Sequence, residues 1–121
     1  MSQRLGIAFV KVDGELLESM PGAKIDIGGK TRSTVLGANA VLGFSETPAP
    51  ASVECEISIG PKTSLKKLRG ITNATITFEC DTGQTYVING AWLEGTLVAT
   101  SGDGGKVPLK FVGPPAEEMA K

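Results

Sequence analysis

The dominant rhythm of the chain is alternation by two. In "ASVECEISI" (51–59), Val53, Cys55, Ile57 and Ile59 fall on one side, and Glu54, Glu56 and Ser58 on the other. "ATITFEC" (74–80) repeats the scheme, with Ile76 and Phe78 set against Thr75, Thr77 and Glu79. Successive strand side chains point to opposite faces, so each segment predicts a half-buried β-strand. "LGIAFVKV" (5–12) and "ELLES" (15–19) meet across Asp13-Gly14, a dipeptide suited to a two-residue hairpin turn. "AKIDI" (23–27) and "KTRSTV" (30–35) flank Gly28-Gly29 and predict a second hairpin. "QTYVING" (84–90), "LEGTLVAT" (93–100) and "KVPLKFV" (106–112) supply the remaining strands, the last two joined around Asp103, Gly104 and Gly105. Pro108 has no amide proton, which puts the last strand at an edge or a bulge.

Two stretches leave this rhythm. "KTSLKKLRG" (62–70) has Thr63 or Ser64 as an N-cap, Leu65 and Leu68 three apart, and Gly70 as a stop. It predicts a helix of about two turns over residues 63–69, too short to stand without the sheet. "GANAVLGFSETPAPAS" (37–52) mixes Val41, Leu42 and Phe44 with Pro48, Pro50 and small residues. The prolines argue against a central strand or a helix and predict a long extended loop. The resulting fold class is mainly β: an antiparallel β-sandwich or barrel with one short flanking helix and an arm at 37–52. One domain, 1–121, accounts for the whole chain, with a short tail at 113–121 after Pro114-Pro115. That tail reads as a frayed end or as a segment docked on a neighbour.

Composition removes several functional classes. Twelve basic against thirteen acidic residues give a net charge of −1, unlike the basic excess of a dedicated duplex-DNA binder. The first residues lack a small-residue cleavage site after their apolar run, so synthesis in the cytosol is expected. Membrane insertion is not expected, since no apolar run reaches the length of a span. Without histidine, Ser-His and Cys-His nucleophile pairs and His-based metal sites are excluded. Cys55 and Cys80, both within alternating patterns, read as free core thiols, with a disulfide as the alternative. "KIDIGGKT" (24–31) has Lys24 where a phosphate loop needs its first Gly, and "RSTV" follows instead of a helix. Glu54, Glu56, Glu79 and Asp81 read as a solvated strand face rather than as acid–base pairs. No catalytic, metal or cofactor-binding residue is expected. Trp92, the single Trp, is a core anchor or an interface anchor.

The arm is the informative feature. Fourteen extended residues reach up to about 45 Å, against a radius of gyration of about 14 Å for such a domain. Val41, Leu42 and Phe44 on a closed surface loop would invite association. The economical reading is that association is their purpose, with the side chains buried against another copy. Open sheet edges point the same way.

Residue for residue, "LLESMPGAKIDIGG", "SVECEIS", "TSLKKLRGITNATITFECDTGQTYVINGAW" and "GKVPLKFVGPPAEEM" resemble the Mu-type family of phage tail tube proteins. The likeness runs from about Leu5 to Met119, with "DTGQTYV" (81–87) and "GPPAEEM" (113–119) its most specific parts. The resemblance implies a structural subunit, not an enzyme, of hexameric rings stacked as the inner tube of a contractile tail. It implies a long loop reaching the adjoining ring, here residues 37–52 with Pro48 and Pro50. Implied partners are other copies, the sheath outside, the tape-measure protein in the lumen, and the baseplate and terminator at the ends. DNA would pass through the lumen without specific binding. The implied location is the virion tail, assembled in the host cytoplasm. Glu54, Glu56 and Glu79 are candidates for the lumen lining, because carboxylates repel phosphates over a Debye length of about 8 Å. Two rivals remain: a tube subunit of a DNA-free contractile injection device, and a monomeric β-barrel that binds a small ligand. A single Trp and a single Tyr weaken the second, since such sites favour aromatic platforms.

Overall fold

The computed structural model describes residues 1–119. β1 (Ala8–Val12) turns through Asp13-Gly14 into the short β2 (Glu15–Leu16). Both turn residues have positive φ, 50° and 86°, as a hairpin whose twist matches its strands requires. Asp13 also fastens this turn to the next strand: its carboxylate accepts the Thr75 amide at 2.8 Å, and its amide donates to the Thr75 carbonyl at 2.8 Å. β3 (Lys24–Asp26) and β6 (Ala51–Ser58) are antiparallel partners, as are β7 (Ala74–Cys80) and β8 (Thr85–Leu93). With β9 (Lys106–Gly113), the path across the sheet runs β2-β1-β7-β8-β9-β6-β3, antiparallel at every step. The path ends on two different strands, so the sheet does not close into a barrel.

The alternating pattern delivers one apolar side from each strand. Val10, Ile76, Phe78 and Ile88 from one half of the sheet share a single buried cluster with Val53, Cys55, Ile57, Val107, Leu109 and Phe111 from the other. Neither half could bury its apolar face alone in water, so the sheet folds over itself around this core. α1 (Leu65–Arg69) leans on it through half-buried Leu65 and Leu68. It is a single turn rather than the expected two. Ser64 caps it by accepting the Lys67 amide, and Gly70 ends it without a left-handed φ.

β8 is the corner. Its first part pairs with β7, and Trp92 and Leu93 pair with β9. Between them the register shifts by one residue, and Gly90 takes a φ of 71°. This bulge moves the inward positions from Tyr86 and Ile88 to Ala91 and Leu93. The opposite edge makes a matching adjustment. β10 (Glu117–Met119) resumes along β8 in the register that β9 left: Val112 faces Trp92 and Glu117 faces Val87. Pro114-Pro115, which cannot donate to a ladder, fills the gap. Gly113 is needed at its start, because a Cβ there would lie 2.6 Å from Ile88 Cγ2.

Three expectations change. Gly28-Gly29 is not a hairpin turn: β3 pairs with β6, and the strand after the glycines pairs elsewhere. "LEGTLVAT" is not a strand, because Gly95, at φ 81°, turns the chain away from the sheet and residues 94–105 form a loop. Residues 114–119 of the tail are not frayed, since Glu117–Met119 pair with β8; Ala120 and Lys121 lie outside the described residues.

Both cysteines are free, Cys55 buried and Cys80 half-buried. Burial, with a smaller contribution from neighbouring Glu56, pushes the Cys55 thiol up from 9.0 to about 11. A raised acid pKa keeps the folded form protonated while the unfolded thiol ionises. Stability therefore falls as pH climbs from 9.0 towards about 11, a change absent in Cys55→Ala. At pH 8 a thiol reagent should modify Cys80 first and Cys55 only on unfolding. Equal rates for the two would contradict the buried placement.

Candidate assembly interface

The arm is a β-ribbon, not an irregular loop. β4 (Gly29–Leu36) and β5 (Val41–Ala49) form a separate two-stranded sheet paired only with each other. The register runs from Gly29 opposite Ala49 to Leu36 opposite Val41, with one shift near the tip. Pro48 is tolerated because a two-stranded ribbon leaves one edge of each strand unpaired. The eight residues of β4 give the ribbon a length of about 24 Å.

Alternation gives the ribbon two unlike faces. One carries Lys30, Arg32, Thr34, Phe44, Glu46 and Pro48, and the other Thr31, Ser33, Ser45 and Thr47. Arg32 bridges its own face, with Nε 3.6 Å from Glu46 Oε2 and its guanidinium 5.6 Å from the Phe44 ring centre. At the tip Gly37 donates to the Ala40 carbonyl at 2.8 Å, closing the turn. Around this turn Leu36, Val41, Leu42 and Phe44 are 70%, 68%, 70% and 63% exposed. A monomer rarely leaves such a cluster open to water unless another molecule covers it.

The root is built for a sharp exit. Gly28 has φ 70°, and a Cβ there would sit 2.6 Å from the Ala51 amide nitrogen. Its amide donates to Asp26 Oδ1 at 3.0 Å, and the Ile27 carbonyl accepts the Ala116 amide at 2.8 Å. The ribbon thus leaves the sheet at a fixed point beside the start of β6, although it touches little beyond that root.

The other sequence candidates are dispersed. Glu54 and Glu56 stand on the outer face of β6, and Glu79 on the outer face of β7, in the other half of the sheet. Glu54 belongs to a charge-alternating row. Lys24 Nζ is 3.4 Å from it, Lys110 opposes it across the ladder, and Lys110 in turn lies 3.5 Å from Glu94. Glu79 is paired with Lys11 at 2.9 Å. Glu56 lies opposite Pro108 and has no ion pair among the described residues. Trp92 is not a core anchor: it lies on the outer face opposite Val112 and is 42% exposed. Sequence reasoning missed Leu36, which joins the tip from the strand before the turn. It also missed that Leu5, Ile7 and Phe9, at alternate positions leading into β1, are all exposed.

An open antiparallel sheet that holds out a ribbon with an apolar tip and two unpaired edges has the features of an assembly subunit. The chain belongs to the phage tail tube protein family, whose model matches residues 1–118. It is 41% identical over 112 residues to the Mu-like prophage FluMu tail tube protein of Haemophilus influenzae, covering 91% of each chain. It is 35% identical over 119 residues to the tail tube protein of Escherichia phage Mu, covering 98% of each. Its fold is shared with the tube-terminating cap of the anti-feeding prophage at a TM-score of 0.67 and 10% identity, over 94% of this chain and 88% of that one. The sheath–tube complex of an extracellular contractile injection system matches at 0.63 and 13% identity, over the same shares. The chain is a structural subunit of a phage tail, not an enzyme.

Proposed function

We propose that copies of this chain form hexameric rings that stack into the inner tube of a contractile tail, and that the bore conducts DNA during ejection. The exposed apolar ribbon carries this reading, because its tip finds shelter only in a neighbouring ring. The two sequence relatives are named for phage Mu and a Mu-like prophage, which favours the DNA-conducting tube over a DNA-free injection device. Assembly would take place in the host cytoplasm, with the sheath outside, the tape-measure protein within, and the baseplate and terminator at the ends. Electron microscopy of concentrated protein tests this directly. Stacked rings with sixfold symmetry are expected, and a monomer at every concentration overturns the reading.

Only one outer face of each subunit can look into the bore. The face of β3, β6 and β9 is polar and charge-balanced, whereas that of β1 and β7 carries Phe9 beside Glu79. We assign the lining to Glu54 and Glu56 and leave Glu79 outside it. A lining with little net positive charge lets phosphates slide. Reversing Glu54 and Glu56 to Lys should slow ejection from assembled phage, with the delay shrinking as salt rises. Unchanged ejection kinetics would place the lining on another face.

A further inference from the structure

A groove of about 420 Å³ runs between the β1–β2 turn and α1. Val12, Leu16, Leu17, Ile57, Leu68 and Ile71 give it an apolar part, beside charged side chains from the β1–β2 turn and α1, where Lys67 Nζ lies 3.5 Å from Glu15 Oε2. Ile57 and Ser58 fix the groove at the end of β6, whereas the ribbon joins β6 at Ala51. Six strand steps, about 20 Å, separate these points. The ribbon does not fold back across that distance, for β4 and β5 pair with nothing else and their tip is exposed.

Tip and groove are chemically matched. Residues 35–44, "VLGANAVLGF", carry no charge, and the groove offers six apolar side chains with charged ones beside them, the mix that protein–protein interfaces use. We infer that the groove between the β1–β2 turn and α1 receives the ribbon tip of a second copy of this chain. This rests on the reading that the ribbon joins successive rings, and it names the surface that the ribbon meets. Because tip and groove are different surfaces of the chain, the contact is head-to-tail. Every docked copy presents a new tip and a new groove, so growth along the axis is open-ended.

Disulfide trapping tests the pairing in the full-length chain. In a Cys80→Ser background, Leu42→Cys is mixed with Lys67→Cys at high concentration, each with a different mass tag, and oxidised. Leu42 and Lys67 are both exposed, so the fold is retained, and buried Cys55 stays reduced. Disulfide formation demands close approach, so the heterodimer should exceed that of Leu42→Cys with Val98→Cys by about tenfold or more. Val98 is equally exposed but lies in the 94–105 loop, outside the groove. Equal yields from the two pairs, with Leu42→Cys still crosslinking other copies, overturn the groove and leave the ribbon reading standing. A Leu42→Cys that forms no intermolecular bond inside assembled tubes overturns both.

Discussion

A chain from which Gly29–Ala49 has been excised, with Gly28 joined to Pro50, should fold normally and build no tubes. The ends to be joined already touch, since a Cβ on Gly28 would lie 2.7 Å from the Pro50 carbonyl carbon. No ribbon residue belongs to the buried core, so no core packing is lost. Closing a shorter loop costs slightly less entropy, and surface changes shift stability little, so unfolding free energy should move by under about 1 kcal/mol. Assembly should fail entirely, because the four exposed tip side chains go with the ribbon. Circular dichroism melting with negative-stain imaging separates the two effects. A milder version, Leu36, Leu42 and Phe44 to Ser, keeps the ribbon and should also abolish stacking. Long tubes from the excised chain would remove the basis for treating the ribbon as a connector.

The opposite outcome is expected for Phe111→Ala: lost stability with the tip untouched. Phe111, 0% exposed, lies towards the end of β9, opposite Val53 on one side and Leu93 on the other. Removing its ring leaves a cavity where both halves of the sheet meet, at a cost of about 3–5 kcal/mol. Domains of this kind have about 5–15 kcal/mol in all, so the variant should be marginal at 37 °C. Urea titration should show a lowered midpoint with an unchanged slope. In assembled tubes part of the loss should be recovered, because neighbours bind only the folded state. A midpoint within experimental error of the parent would mean that the β9 core is not where stability resides.

Much of this architecture was legible in local pattern. β6 and β7 declare themselves by strict alternation, and Asp13-Gly14 by the dihedrals that its turn demands. The failures share one cause: glycine permits several backbone states, and sequence does not say which is used. Gly28-Gly29 reads as a turn within one hairpin, yet it is a joint between two sheets. Gly90 looked like a strand end and is a bulge inside β8. Gly95 follows a strand in a run that looks β-like and turns out of it. The arm's apolar residues were visible, but its partner strand was not, since "KTRSTV" had been assigned across the glycines instead. The groove was beyond reach, because it gathers residues from β1, β2, β6 and α1 that are up to about sixty positions apart.

The ribbon's register has a consequence for timing. It is a ladder between neighbours in sequence and the first of the long ones to be made, whereas Ala8 pairs with Cys80 and Ser58 with Lys106. Local hairpins close within about 1–10 μs, while sheets of distant partners need milliseconds to seconds. Ribosomes add about 5–20 residues per second, so the ribbon's strands can pair while β9 is still untranslated. On the proposed pairing, a nascent subunit carries a plug but no completed socket. It can cap a completed neighbour yet cannot itself be extended, and polymerisation must await release of the whole polypeptide.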